Sequence, residues 1–307
     1  MDYKKIIKNR QLRLKILELL SFVPDKLMLQ FQYGLKTGRK LNWKNPLRYT
    51  EKIQWYKMYY RTPLMVKCAD KYDVREYVES KGLENILNPC YGIYDSAEDI
   101  EWSKLPEQFV MKDTLGGGGT SVEIVRNKSK EDLNRLRKIG KGWTAIKAHV
   151  KSGGREWPYY SGKNHRIIIE KFVDSDPLKG GLIDYKFLCF NGKAVLLYIM
   201  ADRVTGQGAG CGFFDLEFNQ LPITESDEET LKRKITKPRN FHEMIKVAEK
   251  LAEDFPCARI DLYNENENII FGEITFYDSS GYMVFDPDSF DYELGSKFKL
   301  PKMKREL

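Results

Sequence analysis

Lys112 is followed, after Asp113-Thr-Leu115, by four consecutive glycines, Gly116, Gly117, Gly118 and Gly119, and then by Thr120 and Ser121. Glycines let a backbone approach a ligand closely and aim N–H groups at phosphate oxygens, and a nearby ammonium adds a point charge for the same anion. Two familiar phosphate loops are excluded. No Lys follows the glycines as G-x-x-x-x-G-K-[ST] requires, and the segment downstream reads as a strand rather than the helix of a dinucleotide fingerprint. A flexible connection and a mobile phosphate cover both remain open, with the strand ending in Lys112 favouring the cover.

A second constellation is acidic. Asp261 lies in Arg259-Ile-Asp-Leu-Tyr263 and Glu273 in Phe271-Gly-Glu-Ile-Thr275, which read as the two arms of one hairpin. Cross-strand partners on one face are about 5 Å apart, so these carboxylates could share a divalent ion. Facing each other without a cation they would be destabilising; the alternative is two ordinary outward residues of alternating strands. Magnesium suits carboxylates together with substrate phosphates, and it would turn a phosphate loop into a nucleotide site.

The elements that must hold these groups follow from apolar spacing. Residues 1–60 read as helical, with Leu12, Ile16, Leu19, Leu20 and Val23 at helical intervals until Pro24; a second patterned stretch runs over Glu51–Tyr60. Leu64–Ser80 is predicted as a third helix. The period then changes: Gln108–Lys112 and Ser121–Val125 form a strand–glycine loop–strand hairpin, 131–150 is helical, and Arg166–Val173 is a β-branched strand. Asp184–Phe190 and Ala194–Met200 pair across Asn191-Gly192, a helix covers Asn240–Asp254, and Ala258–Tyr263 pairs with Ile269–Thr275. The order is that of an α+β protein.

Composition bounds the function. The chain has 307 residues, 42% hydrophobic and 31% charged, which excludes a mostly disordered protein. At about 150 residues per domain the length suggests two structural units. No apolar run approaches the roughly 20 residues that span a bilayer. Glu18 and Pro24 interrupt the N-terminal apolar stretch and no small-residue cleavage site follows, which argues against a signal peptide. Cys68, Cys90, Cys189, Cys211 and Cys257 are scattered and never in C-x-x-C spacing, pointing to the cytoplasm and away from a disulfide framework or a zinc site. The net charge is +7, with basic residues gathered at Lys4, Lys5, Lys8, Arg10, Arg13 and Lys15 and again at Lys297, Lys299, Lys302, Lys304 and Arg305. No RNP, zinc-finger or helix-turn-helix signature accompanies this charge, so nucleic acid is not the expected partner.

In chain order, Lys112 with the glycines, the strand ending Ile169-Glu-Lys-Phe-Val173 and the Asp261/Glu273 hairpin resemble the arrangement of ATP-grasp enzymes. Asn45-Pro-Leu-Arg-Tyr-Thr-Glu-Lys-Ile-Gln-Trp55, Asp70-Lys-Tyr-Asp-Val-Arg-Glu-Tyr77, Asp184-Tyr-Lys-Phe-Leu-Cys-Phe-Asn-Gly192 and Gly272-Glu-Ile-Thr-Phe276 resemble, more specifically, the TupA-like ATP-grasp family of bacterial surface-polysaccharide gene clusters. The resemblance covers residues 40 to 290. It implies a helical N-terminal region (1–105), a glycine-loop lid subdomain (106–172) and a C-terminal, mainly antiparallel subdomain with the metal-binding hairpin (173–307).

It also implies ATP and Mg²⁺ and a set of roles. Lys71 and Lys112 would meet the nucleotide phosphates, with Gly116 to Gly119, Thr120 and Ser121 as the lid loop above them. Glu170, Lys171, Phe172 and Val173 would receive the adenine, and Lys186 would lie near phosphates or substrate. Asp261 and Glu273 would hold the metal, with Thr275 where many ATP-grasp enzymes place Asn, a weaker ligand at the second metal position. Asp113-Thr-Leu115 departs from the Asn-His more common in the family. Arg259 would orient a substrate carboxylate or stabilise a tetrahedral intermediate; its alternative is an ion pair with Glu273 or Asp261.

The implied reaction is carboxylate–amine ligation through an acylphosphate, on a uronic-acid-containing surface polysaccharide or its precursor. The expected partners are an anionic saccharide or glycan and an amine. The basic ends are then read as peripheral contacts for that glycan or for an anionic inner-membrane surface, with solvated termini as the plainer alternative; no feature bears on oligomeric state. The rivals are a glycosyltransferase, an ATP-grasp sugar kinase and a non-enzymatic assembly scaffold. A glycosyltransferase would need a sugar-nucleotide site, and Asp286-Pro-Asp288, which superficially resembles a D-x-D triplet, reads as a turn.

Overall fold

The computed structural model describes residues 10–117, 121–151, 153–175, 181–202 and 209–302. The chain divides into two compact units, one comprising 1–62, 151–157 and 175–307, the other 63–150 and 158–174. The first unit opens with helix α1 (Arg10–Leu19), a 3₁₀ turn at Leu20–Phe22, and α2 (Asp25–Thr37), which starts directly after Pro24 with Asp25 at its positive dipole end. Gly38, with φ of 71°, ends α2 through its N–H, which donates to Gly34 O at 3.0 Å. In α3 (Tyr49–Tyr59), Glu51 Oε2 accepts from the N–H groups of Leu47 (2.9 Å) and Arg48 (3.2 Å), satisfying donors that the helix start leaves free.

The second unit begins with α4 (Pro63–Ala69) and α5 (Val74–Ser80), where one helix was predicted over Leu64–Ser80. Asp70 makes the break: its Oδ1 accepts from the N–H groups of Tyr72 and Asp73, both at 2.9 Å, which offers the backbone an alternative to helix. Strand β1 (Cys90–Tyr94), β2 (Phe109–Asp113), β3 (Val122–Val125), helix α6 (Leu133–Thr144) and β4 (Ile167–Lys171) follow. The four strands form an antiparallel sheet in the order β1-β4-β2-β3, with β2 and β3 as the predicted hairpin. The strand predicted to Val173 stops at Lys171, and β1 was not predicted. Phe109, Met111, Ile167 and Ile169 point into a core with Trp102, Leu136 and Trp143. Alternation along the strands therefore turns Lys112 and Glu170 to the opposite face.

The chain then builds the larger sheet of the first unit from β5 (Asp184–Phe190), β6 (Lys193–Ala201), β7 (Gly210–Phe214), a β8 (Thr224–Glu225) that pairs elsewhere, and β9 (Glu229–Thr230). Helix α7 (Phe241–Ala252), β10 (Cys257–Glu265), β11 (Asn268–Thr275), β12 (Phe285–Asp286) and α8 (Ser289–Lys297) complete it. The sheet order is β11-β10-β5-β6-β7-β9, antiparallel except for β7 with β9, while β12 pairs with β8. Asn191 and Gly192, with φ of 51° and 77°, make the left-handed two-residue turn that the Asn-Gly signal predicted. One face of the sheet is covered by α7: the Phe187 and Phe241 rings are 5.9 Å apart and Cys189 Sγ lies 3.9 Å from Ala248 O. Asp286-Pro-Asp288, predicted as a turn, is one: the chain bends at Pro287 and turns at Asp288 between β12 and α8. Among the described residues, no helix is long and apolar enough to cross a membrane.

Candidate active site

The face of the larger sheet opposite α7 carries a polar rank. Tyr198 on β6 stands directly opposite Lys186 on β5, Lys186 opposite Asp261 on β10, and Asp261 opposite Glu273 on β11. Directly opposed residues share a face, so one register level sets four polar side chains side by side across four strands. Asp184 and Arg259 lie on the same face, each two residues from a member of the rank. Gly272 makes the last approach feasible: a Cβ there would lie 2.9 Å from Asp261 O, at the irregularity between Asp261 and Leu262 that sets Glu273 in place.

Arg259 binds this cluster together. Its Nε donates to Asp261 Oδ1 (2.6 Å), its Nη2 to Asp261 Oδ2 (2.7 Å) and Glu273 Oε1 (2.8 Å), and its Nη1 to Asp278 Oδ1 (2.6 Å). Tyr198 OH donates to the same Asp278 oxygen at 2.8 Å. Lys186 Nζ is 3.0 Å from Asp184 Oδ2 and also bonds Asp261 Oδ2. Burial pulls the pKa values of Arg259 and Lys186 down, but the carboxylates around them outweigh it and hold both above their ordinary values. Burial pushes the Asp261 carboxyl up, against Arg259 and Lys186. Both cations are therefore permanent. The alternative assigned to Arg259, an ion pair with Asp261 and Glu273, is what the structure contains, so the two acids do not face each other without a cation.

The fit of a metal follows from this donor set. Asp184, Asp261, Glu273 and Asp278 bring four carboxyl groups to the two cations Lys186 and Arg259. Asp278 is buried, and its Oδ2 accepts no hydrogen bond among the described residues. An oxygen-only, anionic cluster with an unsatisfied buried oxygen suits a hard divalent cation. Thr275 Oγ1 donates to Glu273 Oε1 at 3.0 Å, beside the candidate ligands. Among the described residues no group of three or more His, Cys, Asp or Glu side chains is arranged to hold a metal unaided. Two carboxylates would have to be supplemented by substrate oxygens, as Mg²⁺ commonly requires.

The second unit presents its own cluster. Lys112 Nζ donates to Glu170 Oε2 at 2.6 Å, and Arg75 Nη1 lies 3.5 Å from Glu170 Oε1. Lys71, in the turn that Asp70 creates, anchors its N–H on Thr114 O (2.9 Å) and directs its ammonium to Gly116 O. Lys71 is thus brought to the start of the glycine loop. Gly116 has no room for a Cβ because Ser121 packs against it, closing the base of the loop. His165 Nδ1 bonds both oxygens of buried Asp113 (2.9 and 2.8 Å), and Arg166 spans Asp70 and Asp73. Lys171 ends β4, its N–H donating to Pro89 O at 2.8 Å; Phe172 lies under the Arg126 guanidinium at 4.8 Å, and Val173 is half-buried. Gly117 is described; Gly118, Gly119 and Thr120 lie outside the described residues.

Sequence reasoning missed Asp184, Tyr198 and Asp278 in one unit and Arg75 in the other. Asp184 was signalled by its alternation with Lys186, whereas Asp278 reaches Arg259 from a turn no strand pattern marks. Asp288 is held by Arg48 (2.7 Å) and Arg39, which leaves Asp286-Pro-Asp288 without the free carboxylate pair of a metal triplet.

A family model for TupA-like ATPgrasp proteins matches residues 51–299. Among solved structures, D-alanine–D-alanine ligase of Bacillus anthracis is similar at 17% identity and a TM-score of 0.45, over 76% of this chain and 67% of that one. The Helicobacter pylori D-alanine–D-alanine ligase is similar at 15% identity and 0.45, over 84% and 68%. An L-amino acid ligase of Bacillus licheniformis is similar at 14% and 0.41, over 72% of this chain but only 44% of its own length. No curated protein matches.

Proposed function

The chain belongs to the TupA-like ATPgrasp family, and on that premise we propose that it is an ATP-dependent carboxylate–amine ligase. The reaction is transfer of the γ-phosphoryl group of ATP to a substrate carboxylate, giving ADP and an acylphosphate, followed by attack of an amine on the acyl carbon with release of phosphate and formation of an amide. The carboxylate belongs to a uronic-acid unit of a surface polysaccharide or its precursor. Peripheral placement at an anionic membrane surface is part of the same reading.

The observation that carries it is the rank Tyr198–Lys186–Asp261–Glu273 with Arg259 threaded through it. Phosphoryl transfer rests on positioning and charge neutralisation more than on covalent chemistry by the protein. Lys71 and Lys112 take phosphate oxygens; Gly116 to Gly119 with Thr120 and Ser121 form the cover; Glu170 with the backbone of Lys171, Phe172 and Val173 takes the adenine. Asp261 and Glu273, with Thr275 beside them, would hold Mg²⁺, which supplies positive charge to the phosphates when bound. Arg259 is anchored on the buried side by Asp261 and Asp278 and reaches outward at the more exposed Glu273, so the outer side of its fork is where a substrate carboxylate exchanges in. Lys186, held between Asp184 and Asp261, opposes the upward push of burial on the Asp261 carboxyl and orients it.

The test is ADP release across panels of uronate-bearing acceptors and amines, with mass spectrometry of the product. ADP and phosphate formed only when acceptor and amine are both present, with an amide product, is the expected result. Sugar transfer from a nucleotide sugar without ATP would overturn it in favour of a glycosyltransferase, and a stable phosphosugar formed without amine would make the protein a kinase.

A further inference from the structure

The first 44 residues carry the chain's entire positive excess: 11 Lys and Arg against 3 Asp and Glu, whereas the remainder holds 40 against 41. The same stretch turns large apolar side chains to solvent. Leu19 at the end of α1 is 75% exposed, Phe22 in the following turn 80%, and Leu27 and Phe31 on α2 61% and 65%. Met28, Leu29, Gln32 and Tyr33 are the buried residues of α2, so Leu27 and Phe31, one turn apart, occupy its opposite side. Helix α2 is therefore apolar on both sides, although only one of them has a core to meet. Single exposed leucines are ordinary; four exposed Leu and Phe side chains within 13 residues, with Lys26 exposed among them and Lys40 and Lys44 exposed just after α2, are not.

We infer that the α1–turn–α2 face docks on an anionic lipid bilayer. Lysine and arginine draw it to phosphate headgroups, and Phe22, Leu27 and Phe31 with Leu19 enter the headgroup–acyl boundary. A second copy of the chain is a poorer occupant, because a two-fold interface would set this basic surface against its own duplicate. The inference gives a specific face to the membrane placement proposed above and is independent of the ligase chemistry.

The full chain is to be sedimented with vesicles of phosphatidylglycerol mixed with phosphatidylcholine, and with vesicles of phosphatidylcholine alone. Pelleting with the anionic vesicles only, weakened by salt, is the expected result. The F22S/F31S double variant should partition at least about tenfold more weakly with its unfolding midpoint unchanged, since both side chains are solvated in the free protein. Ile124→Ser, an exposed apolar site in the other unit, should bind as the parent does. Failure of the parent chain to pellet, equal pelleting of the double variant, or a self-association that the double variant abolishes without any vesicle binding would each overturn the inference. A double variant that loses vesicle binding but keeps its ADP release on soluble acceptors separates this surface from the ligase reading.

Discussion

Arg259 spreads its fork over three carboxylates, two buried and one partly exposed, and Lys186 closes the cluster from the neighbouring strand. A lysine at position 259 would keep the charge and lose the geometry. Arg259→Lys should therefore lower ADP release by about 10²–10³ at saturating ATP, because one ammonium cannot face Asp261, Glu273 and Asp278 together. Glu273→Gln and Lys112→Ala should each reduce turnover by a comparable factor, and full activity in both would move the nucleotide site elsewhere. Asp261, Glu273 and Arg259 were legible in the sequence because one local hairpin holds all three. Asp278 and Tyr198 were not, since their meeting with Arg259 depends on the long-range register of β6 against β5 and on the turn after β11.

Among elements, β11 depends on a residue with no side chain. Alanine at position 272 would press on the backbone of Asp261, and the strand can yield only by shifting Glu273. Gly272→Ala should cost about 1–3 kcal/mol of stability in urea unfolding and lower turnover as well; an unchanged midpoint with full turnover would show the strands relax freely. Periodicity found the two hairpins of the larger sheet and α7, where alternation or a helical stripe is continuous. It failed at Asp70, where a side chain bonding its own backbone splits a helix whose apolar spacing runs on. It also passed over β1, in which Gly92 interrupts the run of side chains, and β7, in which Gly210 and Gly212 remove the side chains that would mark a strand.

At the scale of the molecule, Lys57 on α3 is fully buried and stitches three distant segments of the first unit. Its ammonium donates to Gly154 O (2.8 Å) and Ser280 O (2.7 Å). Burial brings its pKa down to about 7, partly offset by Glu156, against 10.5 for an ordinary lysine. Between those values the unfolded chain binds the extra proton, so stability rises with pH across this window and is flat, for this group, below it. The slope approaches about 1.4 kcal/mol per pH unit. In urea unfolding of the parent and Lys57→Met over this range, the parent should gain stability relative to the variant by up to that slope, the buried cysteines and tyrosines acting equally on both; parallel curves would mean the ammonium is not desolvated. The excursion of 151–157 into the first unit, which Lys57 and Arg155 hold down, left no mark in the sequence: Lys-Ser-Gly-Gly-Arg-Glu-Trp reads as an ordinary loop.

The rank across β6, β5, β10 and β11 has a kinetic corollary. Its members come from four strands, with α7 and a long stretch of chain intervening between Tyr198 and Asp261, so no local hairpin assembles it. Pairing of β10 with β5 closes the largest loop in that sheet and should be among the slowest steps of folding. On dilution from denaturant, recovered turnover should lag behind helical signal and behind formation of the Asn191-Gly192 hairpin. The cluster would then exist only in chains whose sheet is complete, and partly folded molecules would be unable to spend ATP.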